Sequence, residues 1–284
     1  MTHLDPISVV LTTYNRSDAL LAVLAGLAAQ DDTDFELVIA DDGSAPDHVQ
    51  TIERGLGELG LAATYVWQPD VGFRAARARN LGVLLSHGHY VVFLDGDCVP
   101  ETDFISGHRR LREKGCFVNG SRVLLNRELT EAVVRGDERI FDRNFTYWLN
   151  KWRQRRANKW TSKIRFPGQA LRKQPAFAWR GIRSCNFGIW RKDYEAVDGF
   201  DETFQGWGHE DADLVLRLHN AGMVRKNGFF ATEVYHLWHA EASRTEASIN
   251  ADRVRQRIKS RQVKADQGLS NCHLDESVMV KRLG

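Results

Sequence analysis

HYVVFLDGDCVP (89–100) is an apolar run that ends in Asp95-Gly96-Asp97. An unbroken apolar run of that length, bounded by turn residues, reads as a strand buried on both faces. Its acids fall where the strand ends, and the same plan occurs twice upstream. ISVVLTTYN (7–15) ends in Thr12, Tyr14 and Asn15, and FELVIADDGS (35–44) ends in Asp41-Asp42 and a Gly-Ser turn. TYVWQ (64–68) predicts a further short strand. Helical stretches lie between them: ALLAVLAGLAAQ behind a Ser17 or Asp18 cap, a helix around 46–59, and 71–88, where Arg74, Arg77, Asn80 and Leu84 recur at near-helical spacing. Strand, helix, strand, helix in this rhythm predicts a parallel sheet built by right-handed crossovers. The expected fold class is α/β, an open sheet flanked by helices.

In such a sheet, ligands bind in the crevice at the carboxyl ends of the strands. Thr12, Asn15, Asp41, Asp42, Asp95 and Asp97 all fall there. Each alone is a good turn residue; together they predict a site. Two carboxylates flanking a glycine can approach one divalent cation, and hard oxygen ligands suit Mg²⁺ or Mn²⁺. An acid at the second strand end suits a base or ribose. A nicotinamide-binding domain is excluded, because TTYNRSDA after the first strand lacks the glycines of a pyrophosphate turn.

Composition sets the class. Apolar content of 43% and charged content of 27% are ordinary for a soluble globular chain. No run of about 18 apolar residues predicts a transmembrane helix. The N-terminal MTHLDPISVVLTTYN lacks a basic n-region and a signal-peptide core, so the cytoplasm is the expected compartment. Cys98, Cys116, Cys185 and Cys272 have no metal-finger or CxxC spacing and are expected to be packed or idle thiols.

The second half is less regular. Residues 101–115 predict a helix, FVNGSRVLL (117–125) a strand, 127–150 an amphipathic helix and NFGIW (186–190) a strand. GWGHEDAD (206–213) reads as a loop entering a helix that closes at Gly222. FFATEVYHLWH (229–239) predicts a last strand ending in two histidines, 243–264 a basic helix, and 265–284 a tail with weak signals.

Five segments occur in order: TTYNR (12–16), ADDGS (40–44), GFRAARARNLG (72–82), FLDGDCVP (93–100) and GFDETFQGWGHEDADLVLRL (199–218). Together they resemble the family-2 nucleotide-sugar glycosyltransferases of the GT-A fold. The region NFGIWRKDYEAVDGFDETFQGWGHEDADL is similar to the catalytic region of β-1,4-galactosyltransferases and chondroitin-polymerase-type enzymes. The resemblance covers about residues 6–125 and 183–240. It implies a GT-A open mixed sheet in one catalytic domain, 1–240, with a nucleotide-binding half at 1–100. The acceptor and catalytic half would be 101–240 with a basic insertion at 151–183, followed by a C-terminal helical extension at 241–284.

The resemblance also implies roles. Thr12, Tyr14 and Arg16 would contact the nucleotide, and Asp42, with Asp41 beside it, the uracil. Arg79 would lie near base and phosphates, and Asp95 with Gly96 near ribose and metal. Asp97 would hold Mn²⁺ or Mg²⁺ directly, with His239 and His236 as further ligands; two imidazoles favour Mn²⁺. Asp211 would be the base that takes the proton of the acceptor hydroxyl, and Glu210 would bind the sugar, although the residues alone leave either carboxylate open. Trp207 offers a ring face and Gly208 room for it, and Asn186 is a further sugar or acceptor contact. His209 stands where the galactosyltransferases carry glycine, so it bears on the donor sugar.

Net charge is only +2, yet residues 151–183 hold eleven Lys/Arg and no acid, interleaved with Trp and Phe. Three readings stand: a solvated loop, a surface for an anionic acceptor, or peripheral membrane contact. The basic helix 243–264 would extend that surface. Nucleic acid is not expected, because no such motif accompanies the charge. The function expected is a metal-dependent inverting transferase. It would move a hexose or N-acetylhexosamine from a UDP-sugar to a glycan or lipid-linked acceptor in bacterial surface polysaccharide or lipopolysaccharide synthesis, at the cytoplasmic face of the membrane. Two alternatives are weaker. A sugar-nucleotide nucleotidyltransferase would need a glycine-rich turn after the first strand, and a non-catalytic sugar-nucleotide or glycan-binding module would not need Asp97, Asp211 and His239.

Overall fold

The computed structural model describes residues 5–166, 168–178, 181–206, 208–240 and 247–284. The first half alternates as its periodicity predicts: β1 (Ile7–Thr13), α1 (Ser17–Ala28), β2 (Phe35–Asp41), α2 (Pro46–Leu59), β3 (Ala63–Trp67), α3 (Ala75–Leu84) and β4 (Tyr90–Asp95). Then come β5 (Cys98–Pro100), α4 (Phe104–Leu111), β6 (Cys116–Asn119), β7 (Ser121–Leu124), α5 (Arg127–Val134), α6 (Phe145–Arg153) and β8 (Lys173–Gln174). The chain continues with β9 (Asn186–Trp190), α7 (Arg191–Ala196), α8 (Glu210–Asn220), β10 (Val224–Asn227), β11 (Glu233–His236), α9 (Ala247–Ser260) and β12 (Met279–Leu283).

The large sheet has the order β12-β3-β2-β1-β4-β9-β6-β10-β8, and a small one is β5-β11-β7. β3, β2, β1 and β4 are parallel, whereas β9 runs antiparallel to both β4 and β6. The sheet is therefore mixed. Strand alternation supplies both faces. Ile7, Val9 and Leu11 of β1 pack with Leu20, Val23 and Leu24 of α1. Val10 joins Ala40, Leu81 of α3 and Leu214 of α8 on the other side.

Several boundaries differ from expectation. The run 89–100 is two strands, β4 and β5, in different sheets, and the run 117–125 likewise divides into β6 and β7. Gly120 is the division: an added Cβ would meet the Asn186 side chain at 2.0 Å. Gly120→Ala is expected to lose about 1–3 kcal/mol of stability through that overlap, seen as a lower urea midpoint. The helix foreseen over 127–150 is two helices, α5 and α6. The stretch 229–239 is strand only over β11, and β10 had no clear periodic signal.

The C-terminal segment, expected as a helical extension with a weak tail, is tied into the domain. β12 pairs antiparallel with β3 at the sheet edge. Arg257 of α9, counted among the residues of a basic surface, is instead buried. Its guanidinium contacts Asp213 at 2.5 Å, Asp201 at 2.6 Å and Asp266 at 2.5 Å. Arg217 shares Asp213 at 2.8 Å and donates to the carbonyls of Val197 and Gly199.

The basic segment is stitched down in the same way, which departs from a freely solvated loop. Lys151 pairs with Glu138, Lys163 with Glu101 (3.2 Å), Arg165 with Asp103 through two nitrogens, and Lys173 with Glu113. Arg156 pairs with Glu128. Arg172 donates to the carbonyls of Gly168, Asn227 and Phe229. Every one of these acids comes from outside the segment. No helix among the described residues is long and apolar enough to cross a membrane.

Candidate active site

Register brings the strand ends into one row. Thr12 lies opposite Ala40 on one side and Asp95 on the other, and Thr13 lies opposite Asp41. The turn after β4 packs into this row, with Gly96 N–H donating to Thr12 O at 2.7 Å. The Thr12 hydroxyl is buried there with no protein partner.

The two acids after β2 divide their work. Asp41 Oδ1 accepts the N–H groups of Gly43 and Ser44, and Oδ2 accepts the Tyr65 hydroxyl at 2.6 Å. Asp41 thus builds the ADDGS turn. Asp42 accepts Gln68 Nε2 at 2.5 Å and Arg74 N–H at 2.7 Å. Burial pushes its carboxyl up to about 6. Tyr14 is exposed and donates to Asp70 (2.8 Å), while Arg16 pairs with Asp18 (2.9 Å) at the start of α1.

Arg79, on α3, links the halves. It is 3% exposed and donates to Asp95 Oδ1 at 3.1 Å and to Glu210 Oε1 at 3.2 Å. Burial works against its charge, but Asp95 and Glu210 outweigh that and hold it above the ordinary arginine range. A residue of the nucleotide half therefore fixes the first residue of α8.

The loop entering α8 needs left-handed backbone at Gly206 (φ 73°), Gly208 (φ 106°) and His209 (φ 72°). Glycine adopts that conformation freely; a histidine there is strained. Asn250 of α9 donates to the carbonyls of Gln205 and Gly208 and holds the loop. Trp207 lies outside the described residues. Glu210 and Asp211 open the helix, where its positive end favours acids. Asp211 Oδ1 accepts Ala212 N–H at 2.7 Å. Burial raises both carboxyls above ordinary values; the Asp211 charge adds to the rise at Glu210, and that of Asp95 to the rise at Asp211. Glu210 is the more enclosed and is held by Arg79. Asp211 is the more open of the two.

Asp97 meets both histidines. Its Oδ2 is 3.2 Å from His239 Nε2 and 3.7 Å from His236 Nε2. Burial lowers His236, which keeps its imidazole neutral and able to ligate. One carboxylate with two imidazoles on one point suits a first-row divalent ion. Cys98, expected to be idle, also stands here: Asp97, Cys98 and His236 offer ligand atoms within 4.8 Å of one another. Burial raises the Cys98 thiol well above its ordinary value. It stays protonated and its Sγ donates to Asp97 Oδ1 (3.4 Å), orienting the carboxylate. Its place directly after the second aspartate was the available signal.

Not every expected contact reaches the cleft. Asn186 is 1% exposed; its amide donates to the carbonyls of Ser121 and Thr232, and its oxygen faces His108 Nε2 at 3.0 Å. It joins β9 to the small sheet and has no group left for a sugar. Asp213 belongs to the buried cluster with Arg217 and Arg257.

A model of glycosyl transferase family 2 matches residues 8–178, and a model described as the N-terminal domain of galactosyltransferase matches residues 168–240. The chain is 29% identical over 267 residues to validoxylamine A glucosyltransferase of Streptomyces hygroscopicus subsp. limoneus, covering 89% of this chain and 56% of that protein. It is 26% identical over 230 residues to chondroitin synthase of Escherichia coli, covering 77% of this chain and 33% of that one. The chain thus spans about half or less of the length of these relatives. The crystal structure of S. aureus TarS superposes with a TM-score of 0.60 at 16% identity, over 93% of this chain and 41% of that one, which supports the fold.

Proposed function

Because the chain belongs to glycosyl transferase family 2, we propose that it is a metal-dependent, inverting hexosyltransferase. It would move a hexose or N-acetylhexosamine from a UDP-sugar to a glycan or lipid-linked acceptor of a bacterial surface polysaccharide. One observation carries this reading: Arg79 ties Glu210, at the Glu210-Asp211 pair, to Asp95, which stands two residues before the Asp97 that meets His236 and His239.

Each residue then has a task. Asp42 accepts a hydrogen bond from the uracil. Asp97, His239 and His236 would hold a divalent ion, Mn²⁺ ahead of Mg²⁺, which supplies positive charge opposite the departing diphosphate. Asp211 takes the proton of the acceptor hydroxyl as that oxygen attacks the anomeric carbon, and burial makes it a stronger base than an exposed carboxylate. Attack opposite the leaving group converts an α-linked donor into a β-linked product. Glu210, fixed by Arg79, binds the sugar, and His209 stands at the sugar in place of a glycine. UDP-galactose and its N-acetyl derivative are favoured over the glucose pair, supported by the galactosyltransferase match of residues 168–240. All four cysteines are free, in keeping with a reducing cytoplasm and transfer at the inner face of the membrane.

The test is the purified chain with Mn²⁺ against a panel of UDP-sugars, read as UDP release. Release with one hexose or hexosamine donor is expected; release with none would overturn the UDP assignment. A pH prediction follows from Asp42. It accepts from the base most strongly when ionised, and its ionised fraction is lost below about pH 6. The Kd for UDP at fixed Mn²⁺ is expected to rise several-fold between about pH 7.5 and about pH 5, and Asp42→Asn should flatten that step in calorimetry.

A further inference from the structure

We infer that Arg122, Lys159 and Arg183 form a receptor for a carboxylate or phosphate group carried by the substrate, at the strand end that carries Asp95. The inference rests on the reading of Asp211 as the base. Arg122 lies on β7, and its Nη1 reaches Cys185 Sγ at 3.9 Å. Lys159 Nζ donates to Oγ of Ser121, the neighbour of Arg122, at 3.2 Å. Arg183 donates its backbone N–H to Asn119 Oδ1 at 3.1 Å. Two residues on, the carbonyl of Cys185 accepts the N–H of Asp95 at 3.3 Å. The backbone that carries Arg183 is therefore bonded at the strand end of Asp95, which Arg79 joins to Glu210, the neighbour of the base.

These cations differ from the rest of the basic segment. Lys151, Arg156, Lys163, Arg165 and Lys173 each have an acid partner. Among the described residues, Arg122, Lys159 and Arg183 make no ion pair, although all three are half-buried. Burial pulls Lys159 and Arg183 below their ordinary values, and Arg122 acts on each in the same direction, while Cys185, Cys98 and Asp95 outweigh burial at Arg122 and hold it above its own. Glu233 is the acid felt most by Lys159, but it lies beyond ion-pair reach and accepts Phe230 N–H at 2.9 Å. Partly desolvated like charges without a counter-ion are unfavourable, and an arriving anion relieves them. Arginine's planar fork matches a carboxylate or phosphate through two parallel hydrogen bonds. Transfer between neutral sugars needs no such group. The anion can sit on the donor sugar, as in a uronic acid, or on the acceptor.

The experiment measures binding by calorimetry to the full chain with Mn²⁺. The donor probes are UDP-glucuronate against UDP-glucose. The acceptor probes are a glucuronate-ended oligosaccharide against its methyl ester, and a sugar phosphate against the free sugar. In one of these pairs the anionic member is expected to bind at least about tenfold more tightly, and the pair that responds identifies the source. Arg183→Gln should remove that preference and Arg183→Glu reverse it, with affinity for UDP itself held within about twofold. Equal affinity within every pair would overturn the inference. Loss of UDP affinity in Arg183→Gln would also overturn it, by assigning these cations to the donor diphosphate. Failure of the wild type to bind UDP would strike the functional reading instead, while the acceptor pairs would still decide this one.

Discussion

Asp211→Asn is expected to lower the transfer rate by about 10²–10⁴-fold while leaving the Kd for UDP within about twofold of wild type. The substitution keeps the size of the side chain and its acceptor oxygen, so the bond from Ala212 can persist. What it removes is the ability to hold a proton. Glu210→Gln should behave differently. Its carboxylate is an ion-pair partner of Arg79, so its loss disturbs Asp95 and with it donor affinity, raising KM together with a fall in kcat. A steady-state comparison of the two variants separates the roles. If Glu210→Gln abolished turnover at unchanged KM while Asp211→Asn turned over normally, the roles would be exchanged.

Arg257→Met is expected to lose about 3–5 kcal/mol of stability. Three carboxylates face that guanidinium, and Asp201 and Asp213 are fully buried. Removing the cation leaves Asp213 with Arg217 alone and Asp201 without an ion-pair partner. Urea unfolding would read the change as a lower midpoint. Arg255→Met, on the exposed side of the same helix, should cost less than about 0.5 kcal/mol. The consequence is also functional, because Asp213 stands one turn of helix into α8, behind Glu210 and Asp211. A loss below about 1 kcal/mol at Arg257 would show that α9 is an appendage.

The parallel half of the fold was legible because β1, β2 and β4 are continuous apolar runs whose polar residues start where the strands stop. The same property disclosed the site: Thr12, Asp42, Asp95 and Asp97 are strand-end residues, and strand ends in this architecture converge. Residues whose meaning depends on distant partners were not legible. Nothing beside Asn186 in sequence signals that Ser121 and Thr232 absorb its amide. The basic run 151–183 looks unbalanced because the acids that pair with five of its eleven cations, from Glu101 to Glu138, come from other elements. Arg257 looks like one more surface cation for the same reason. Gly120 reads as an ordinary strand glycine until the side chain it must clear is known. Cys98 was set aside because its spacing from the other cysteines fits no metal motif; its neighbour Asp97 was the better guide.

Metal exchange tests most directly whether Asp97 and the two histidines serve sugar transfer. The purified chain would be stripped with a chelator, assayed for UDP release from its preferred donor, and assayed again after Mn²⁺ is returned, with Asp97→Ala carried in parallel. Release is expected to fall to background on stripping, to recover with Mn²⁺, and to stay at background in Asp97→Ala at every Mn²⁺ concentration. Full turnover by the stripped chain, or wild-type recovery in Asp97→Ala, would contradict it.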